Sequence, residues 1–161
     1  MQKKKCNGQL LSTCMIRRSN FDEVELYWYF YLWPLRKSIK PMSDMTYLGG
    51  HDRQIYEKYK PSFFVFESNE EIVAVNSCHK TSDDEMRSRG IWVKPEYRKQ
   101  GITYKLFDAI FNEALSQQCK YVWSLPRKTA LAAYEASGFV KTSDWIETQT
   151  SDANCYVRKM L

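Results

Sequence analysis

A loop between a predicted strand and a predicted helix, residues 92–103, carries the residue types that bind phosphate. It reads WVKPEYRKQGIT and contains two neighbouring cations, Arg98 and Lys99, followed by Gly101. A helix start presents unpaired N–H groups and a partial positive charge, and both attract an anionic phosphate. Gly101 would let the backbone approach a ligand closely. The loop alone is also compatible with an ordinary tight turn, so other residues must decide its function.

The signatures of other phosphate and metal chemistry are absent. The chain contains neither the GxxxxGK[ST] of a Walker loop nor the GxGxxG of a dinucleotide-binding turn. Its five cysteines form no close pairs, and its two histidines do not form an HExxH motif. These spacings predict no disulfide framework and no metal site. We therefore expect reduced thiols and a cytoplasmic location.

The strands that must position this loop follow from hydrophobic periodicity and turn residues. The predicted element order is β-α-α-β-β-β-α-β-α-β-β. Strand and helix alternate only within residues 86–138, which predicts parallel pairing there and antiparallel pairing elsewhere. The pattern assigns strands to residues 10–17, 62–67, 71–78, 86–93, 121–125, 139–147 and 154–159.

Helices are expected between these strands. Asn20 is predicted to cap a first helix that runs to Trp33 and stops at Pro34. The segment after the loop shows the 3.6-residue period of an amphipathic helix. The remaining helices are assigned to residues 54–59, 100–118 and 128–137.

The net charge of +5 is concentrated at the amino terminus. The first 20 residues hold five basic and no acidic side chains, so the rest of the chain carries 19 of each sign. A neutral body predicts no binding of nucleic acid. The longest apolar run, residues 26–35, is too short to cross a bilayer, which predicts no membrane partner. We expect a flexible basic tail at residues 1–8 and a single domain at residues 9–161.

Two longer patterns make the prediction specific. The first is Val93-x-Pro95-x-Tyr97-Arg98-x-Gln100-Gly101-Ile102, and the second is Ala130-x-x-x-Tyr134-Glu135-x-x-Gly138-Phe139. The first resembles motif A of the GNAT N-acetyltransferase superfamily, whose core is [Q/R]-x-x-G-x-[G/A]. The second is similar to the A-x-x-x-Y-E-x-x-G-F of the next helix in that superfamily. The resemblance covers residues 60–140 by motif and spacing, and the whole chain by element order.

The resemblance implies a mixed α+β fold with a defined cleft. Its centre is a mostly antiparallel sheet of six to seven strands flanked by helices, in which a parallel strand pair splays apart. Here the pair is residues 86–93 and 121–125, and the pantetheine of acetyl-coenzyme A would lie between them. Acetyl-coenzyme A is thus the implied cosubstrate, with no metal. The residues implied to bind it are Ile91, Trp92, Val93, Arg98, Lys99, Gln100, Gly101, Ile102, Thr103 and Arg127.

The resemblance also implies a mechanism. A neutral amine would attack the thioester carbonyl directly, and Tyr134 would protonate the leaving thiolate. A strand amide near Val93 could stabilise the oxyanion. The amine must lose a proton, so a base or a water chain is expected. The alternative for Tyr134 is an ordinary core tyrosine.

Three positions depart from the pattern of the superfamily. Thr103 replaces the second small residue, and Arg127 stands where many relatives place an asparagine. Some relatives carry a glutamate base on the strand before motif A, but the matching position here lies near Arg87, so no base is carried over. The alternative for the acidic trio at residues 83–85 is a solvated turn, and the alternative for His79 is a surface residue at a strand end. The candidate bases are Glu67, His79, Asp83, Asp84 and Glu85.

The predicted function is transfer of an acetyl group from acetyl-coenzyme A to a primary amine of a small molecule or peptide, by a monomer or homodimer. The acceptor site should lie near the first helix and the turn-rich segment that follows it. The aromatic residues that cover every side of this helix are Tyr27, Trp28, Tyr29, Phe30, Tyr31 and Trp33. A non-catalytic acyl-coenzyme A-binding or sensing module is the alternative. An RNA-binding domain is a third reading, but the chain lacks an RNP-like aromatic strand.

Overall fold

The structure of the protein is a computed structural model that describes residues 14–33, 46–47, 50–51, 58–147 and 152–161. The predicted tail, Pro34 and most of the predicted helix at residues 54–59 lie outside the described residues. The helices are α1 (Phe21–Tyr27), α2 (Ile102–Ser116) and α3 (Leu131–Ala136). The strands are β1 (Cys14–Ser19), β2 (Thr46–Tyr47), β3 (Gly50–His51), β4 (Ser62–Ser68), β5 (Glu71–Lys80), β6 (Glu85–Val93), β7 (Tyr121–Ser124), β8 (Val140–Lys141) and β9 (Val157–Met160).

Seven strands form one mixed sheet in the order β1-β4-β5-β6-β7-β9-β8, and β2 pairs with β3 separately. Neighbours in the large sheet are antiparallel except β6 and β7, which run parallel. A parallel neighbour requires a crossover connection, and α2 supplies it. The predicted mostly antiparallel sheet with a parallel pair in its middle is confirmed.

Helices cover both faces of this sheet. α2 packs on one face through Leu106, Phe107 and Ile110, which are fully buried. On the opposite face, Val24 and Trp28 of the first helical segment are fully buried in a second cluster. Burial of apolar surface on both faces is the main stabilisation of such a layered fold. The two faces are named here the α2 face and the α1 face.

The β4–β5 hairpin turns through Asn69 and Glu70, whose φ angles are 52° and 66°. Two consecutive left-handed residues form a type I′ turn, whose twist matches the twist of the flanking strands. The register pairs Ser68 directly with Glu71. The predicted hairpin and its turn are therefore confirmed.

A polar network anchors the start of α1 to the sheet. Asn20 accepts a hydrogen bond from the backbone N–H of Glu23 at 3.1 Å, which confirms the predicted helix cap. The Glu23 carboxylate accepts two hydrogen bonds from Arg17, each of 2.9 Å, and another from Ser19. Arg17 also donates to Glu67 on β4 at 2.6 Å. The hydrogen bonds from Arg17, and to a smaller extent the one from Ser19, lower the pKa of Glu23 to about 2.

After α1 the chain continues as a π-helical turn, Trp28–Leu32, which ends where the sequence predicts. The indole N–H of Trp28 donates to the carbonyl of Gly90 at 3.2 Å. The ring of Tyr31 stacks on Trp92 with 4.6 Å between centroids. The π-helical turn therefore lies against the second half of β6.

We expect Glu23→Gln to destabilise the protein near neutral pH by about 0.5–1 kcal/mol, since the Glu23 side chain is 36% exposed and solvent screens its ion pair. The pKa is depressed from 4.5 to about 2 in the folded state. The carboxylate therefore stabilises the fold fully above pH 4.5, and this contribution is lost as the pH falls towards 2.

Urea unfolding of both proteins at a series of pH values measures this difference. The stability gap should be present at pH 7 and should close near pH 2. A gap that stayed constant across this range would contradict the ion-pair explanation. Asp108→Asn, on the exposed face of α2, serves as the matched control.

The carboxyl-terminal elements are less regular than predicted. Of the strand expected at residues 139–147, only β8 forms, because the Ser143 hydroxyl accepts the N–H of Tyr156 at 2.8 Å in place of a strand carbonyl. The helix expected at residues 128–137 begins as a 3-10 turn, Lys128–Ala130, before α3 starts. Both predictions were therefore wrong in extent but right in element type.

Candidate functional site

The strands β6 and β7 pair briefly and then separate. The parallel register joins Glu85 to Tyr121, Met86 to Val122 and Arg87 to Trp123. β6 continues to Val93, whereas β7 ends at Ser124. Within the described residues, the β7-facing edge of residues 88–93 has no neighbouring strand. Its backbone groups can therefore pair with an extended ligand, and we name this opening the gap.

A β-bulge shapes the β6 side of the gap. The register pairs Ser77 with Arg89 and Val75 with Trp92, so β6 has one extra residue between these pairs. Gly90 within the bulge has a φ of 75°, a left-handed conformation that favours glycine. Met86 and Ile91 are five positions apart, so a regular strand would place them on opposite faces. Both pack on the α2 face, which shows that the extra residue reverses the alternation of side chains. Arg89, before the bulge, consequently lies on the α1 face.

The predicted phosphate loop follows β6 directly. It begins with a 3-10 turn, Pro95–Tyr97, and the Nε of Arg98 donates back to the carbonyl of Val93 at 3.0 Å. Lys99 and Gly101 adopt left-handed conformations with φ of 59° and 77°. Left-handed residues in a turn allow successive N–H groups to point to one side, as anion-binding loops require. The loop is exposed from residue 98 to residue 101, so a ligand can reach it.

The start of α2 is open. Gly101 is the N-cap residue, and no side chain there accepts a hydrogen bond from the first turn. A Cβ atom added at Gly101 would meet no described atom within 4 Å. Ile102 is buried beneath the loop and Thr103 is half-buried in the first turn. The first N–H groups of a 15-residue helix, and its dipole, are thus available to an anion such as a phosphate.

The three residues predicted to contact pantetheine lie on the unpaired part of β6. Ile91 and Val93 belong to the α2 face, whereas Trp92 belongs to the α1 face. Trp92 contacts the rings of Tyr27 and Tyr31, with centroid separations of 5.2 and 4.6 Å. The gap therefore has an aromatic wall on its α1 face.

Tyr134 of α3 lies on the α2 face of the sheet and is buried there. Its hydroxyl oxygen is 3.2 Å from Ser124 Oγ, and Ser124 Oγ donates to the carbonyl of Ser88 at 2.8 Å. Ser88 is the first β6 residue beyond the parallel pairing. Burial raises the pKa of Tyr134 to about 12, against the smaller opposite effects of Ser124 and Arg87. The phenol therefore keeps its proton at neutral pH and can donate it.

The structure places Arg127 on the β7 side of the gap. Its Nη2 donates to the carbonyl of Leu32 at 2.8 Å. The last carbonyls of a helical segment lack partners within the helix, and Arg127 satisfies one of them. The guanidinium thus ties the π-helical turn to the loop after β7, a contact that the sequence did not predict.

Three basic side chains lie on the α1 face beside the gap, and we name His79, Arg87 and Arg89 the basic cluster. They are only 1%, 6% and 7% exposed. Arg87 lies over the ring of Trp123 at 4.9 Å, and Arg89 lies over that of Trp33 at 4.8 Å. The surface location predicted for His79 was wrong, because its strand is central and both faces of the sheet are covered there.

The charge state of His79 follows from this burial. Desolvation, reinforced by Arg87 and Arg89, lowers the pKa of His79 well below its usual value. The imidazole is therefore neutral at neutral pH. Among the candidate bases, His79 is the one that lies beside the last paired residues of β6 and β7.

The acidic candidate bases lie elsewhere. Glu67 belongs to the network at the start of α1. The other three cluster where β6 begins, which is the end at which β6 and β7 are still paired. Their partners are Tyr59 and Lys58 for Asp83, Lys120 for Asp84 and Tyr121 for Glu85. The structure therefore does not bring these carboxylates to the gap.

A separate cavity of about 340 Å³ lies on the other side of the α2 start, against β4. It is lined by Cys14, Phe66, Ser68, Asn69, Tyr97, Gln100, Ile102 and Lys105. The cavity shares Gln100 and Ile102 with the phosphate loop but includes no residue of the unpaired β6 edge. It is therefore distinct from the gap.

Ser124, Gly90 and Arg89 were missed by the sequence patterns. Ser124 gave one usable signal, a hydroxyl at a buried position at the end of a strand. Among the described residues, no group of three or more His, Cys, Asp or Glu side chains could hold a metal ion. In the same part of the chain, no helix is long and apolar enough to cross a bilayer.

Solved structures share this architecture. The Ard1 protein from Thermoplasma volcanium is 19% identical with a TM-score of 0.66, over 92% of this chain and 97% of that one. A GNAT family acetyltransferase from Elizabethkingia anophelis, solved with acetyl-coenzyme A bound, is 14% identical with a TM-score of 0.63, over 92% and 98% of the two chains. An IAA acetyltransferase from Bacillus cereus is 14% identical with a TM-score of 0.67, over 92% and 100%. At these identities the likeness establishes the fold alone.

The sequence identifies the family. The profile of the Acetyltransferase (GNAT) family matches residues 7–139, which is most of the chain. The protein therefore belongs to the GNAT acetyltransferase family, as the two motifs predicted. No curated protein sequence matches it at a significant level.

Proposed function

We propose that the protein is an N-acetyltransferase that moves an acetyl group from acetyl-coenzyme A to a primary amine of a small molecule or peptide. The observation that carries the proposal is the gap, an unpaired strand edge leading into an open helix start at Gly101. An extended amide chain suits the strand edge, and a pyrophosphate suits the helix start. Family membership and the acetyl-coenzyme A bound in the Elizabethkingia relative support this cosubstrate.

The residues that would hold acetyl-coenzyme A follow from these features. The backbone of residues 91–93 pairs with the pantetheine, and the N–H groups of residues 98–103 bind the pyrophosphate. Arg98 and Lys99 add positive charge at the exposed loop. Arg127 would contact the cosubstrate only through N–H groups other than the one bound to Leu32. The cosubstrate itself supplies an activated acetyl group.

The chemistry requires two proton movements. The neutral amine attacks the thioester carbonyl carbon, so that a C–N bond forms and the C–S bond breaks. Tyr134 donates its hydroxyl proton to the departing sulfur, which leaves with the electron pair. The proton of the amine passes to water or to a base. Holding both reactants together in the gap supplies much of the rate.

The setting of the reaction is part of the proposal. Among the described cysteines, Cys78, Cys119 and Cys155 are free thiols. Free thiols are typical of a reducing compartment, and we propose a cytoplasmic protein that acts as a monomer or homodimer. We also propose that residues 9–161 form one domain, to which the residues 1–8 are appended.

The test is a thermal-shift titration with acetyl-coenzyme A, run beside the rate of free-thiol release with a panel of amines. A saturable shift together with amine-dependent thiol release supports the enzyme. The absence of any shift in the melting temperature at millimolar acetyl-coenzyme A would contradict the proposal.

A non-catalytic acyl-coenzyme A-binding module is the second candidate. It is favoured by one observation, that the described acidic candidates for a base are all engaged away from the gap. Binding of acetyl-coenzyme A without thiol release for any amine would favour it over the enzyme.

We expect Gly101→Ala to weaken acetyl-coenzyme A binding at least tenfold. The new methyl group projects into the open space at the helix start, where the proposed pyrophosphate would lie. The unliganded fold should lose only about 1–2 kcal/mol, the cost of a left-handed alanine. Isothermal titration calorimetry and urea unfolding measure the two effects.

Gly138→Ala is the matched control for this prediction, since Gly138 is also left-handed, with a φ of 88°, and lies at the end of α3. It should cost stability without changing the affinity for acetyl-coenzyme A. Equal losses of affinity in both variants would show that the effect comes from general destabilisation.

A further inference from the structure

The basic cluster is placed to act on a ligand in the gap. Arg87 is the last residue of β6 that pairs with β7, and Arg89 is the second residue of the unpaired segment. Arg89 lies on the α1 face, whereas Tyr134 approaches Ser88 from the α2 face. Two permanent cations and a proton donor therefore lie on opposite faces of the sheet around one point of the gap.

The surroundings of these cations make their charge effective. Arg87 and Arg89 are both more than nine-tenths buried, and electrostatic attraction is much stronger in such surroundings than in bulk water. Arginine stays charged at every physiological pH. The neutral imidazole of His79 adds a polar group without adding a repulsive charge.

The aromatic contacts fix the orientation of the cations. Arg89 lies close to the rings of both Trp28 and Trp33, at 5.7 and 4.8 Å from their centroids, and Arg87 lies over Trp123. Indole faces favour a cation over them. A guanidinium held in this way keeps its N–H donors in a fixed fork, and that fork matches the paired oxygens of a carboxylate or phosphate.

We propose, on the basis of the proposed N-acetyltransferase function, that the basic cluster recognises an anionic oxygen group on the acceptor, so that the substrates are amines that carry a carboxylate or phosphate. Arg89 makes the main contact with the anionic group, because it lies beyond the segment of β6 that pairs with β7. Arg87 adds to the positive electrostatic potential at this point. The aromatic wall of Tyr31 and Trp92 borders the same face and would contact the rest of the acceptor.

The experiment compares anionic probes with neutral partners of the same shape. The first set is a panel of the L-amino acids with the corresponding amino-acid amides, and the second is O-phosphoethanolamine with ethanolamine. The N-acetylated forms of all probes are titrated as well, in the presence of coenzyme A. Calorimetry reports their binding and thiol release reports turnover, so the comparison does not depend on turnover alone.

The expected result is at least a tenfold preference for the anionic member of one set. A preference within the amino-acid set identifies a carboxylate, and a preference for phosphoethanolamine identifies a phosphate. If every anionic probe binds and reacts no better than its neutral partner, the inference is wrong.

Variants locate the effect. Arg89→Met should abolish the preference for the anionic probe over its neutral partner. Arg89→Lys should retain part of this preference because the charge remains. Arg158→Met, which removes an exposed arginine on β9, should leave the preference unchanged. A preserved thermal shift with acetyl-coenzyme A shows that the Arg89 variants fold. A preference that survives in a folded Arg89→Met variant would overturn the assignment.

The two proposals fail in different ways. If acetyl-coenzyme A binds and reacts but no anionic probe is preferred, the inference about the basic cluster is wrong and the proposed N-acetyltransferase function is supported. If acetyl-coenzyme A does not bind but the anionic probes are preferred, the proposed N-acetyltransferase function is wrong and the basic cluster is still an anion-binding site.

Discussion

Replacement of Tyr134 by phenylalanine should lower the rate of amine-dependent thiol release by about 10²–10⁴-fold, the usual contribution of a general acid. The buried phenol keeps its proton because its pKa is raised to about 12. The phenyl ring preserves the contacts with Phe107 and Phe139, whose centroids lie 4.7 and 5.2 Å away. The variant should therefore fold and bind acetyl-coenzyme A as the parent does, with the loss confined to turnover.

Steady-state thiol release and calorimetry with acetyl-coenzyme A separate the two quantities. Tyr104→Phe, which removes an exposed hydroxyl from α2, is the matched control and should react normally. An unchanged rate in Tyr134→Phe would show that Tyr134 is a packing residue, the alternative that its sequence pattern leaves open.

Gly90→Ala should be the most destabilising single-methyl change at the site, with a loss of about 2–4 kcal/mol. A Cβ atom at Gly90 would lie 2.5 Å from the Cε2 and Nε1 atoms of Trp28, and the φ of 75° already disfavours a side chain. The Trp28 ring is fully buried and cannot move aside without disturbing the α1 face. Urea unfolding measures the loss.

Comparison with Gly101→Ala separates the cost of the steric contact with Trp28 from the cost of the left-handed backbone. Gly101 has nearly the same φ, 77°, but its Cβ atom would meet no described atom within 4 Å. Its loss of about 1–2 kcal/mol should reflect the backbone alone. Equal losses for the two variants would show that the contact between Gly90 and Trp28 does not matter for stability.

The local features of this protein could be read from its sequence. The hairpin turn at Asn69 and Glu70, the cap at Asn20 and the long helix after Gly101 depend on residues that are close together in the chain. Turn chemistry, helix capping and hydrophobic period act over a few residues, so a single sequence displays them. The motif residues indicated the family for the same reason.

The site depended on contacts that no local pattern contains. The hydrogen bond between Trp28 and Gly90 joins residues that are 62 positions apart, and the one between Ser124 and Ser88 joins residues 36 apart. His79 was assigned to the surface because its neighbours suggested a strand end. Its burial follows from strands on both sides of β5 and helices on both faces.

The sequence by itself determined the types of the main elements and their order, and it predicted the loop that we propose to bind a phosphate. The tertiary structure alone decided that the pairing of β6 with β7 ends at Arg87, and that the bulge at Gly90 lies beyond it. Strand register is set by packing on both faces of the sheet, and a shift of one residue moves each side chain to the opposite face. For that physical reason the position of Arg89 beside the gap became known only from the folded chain.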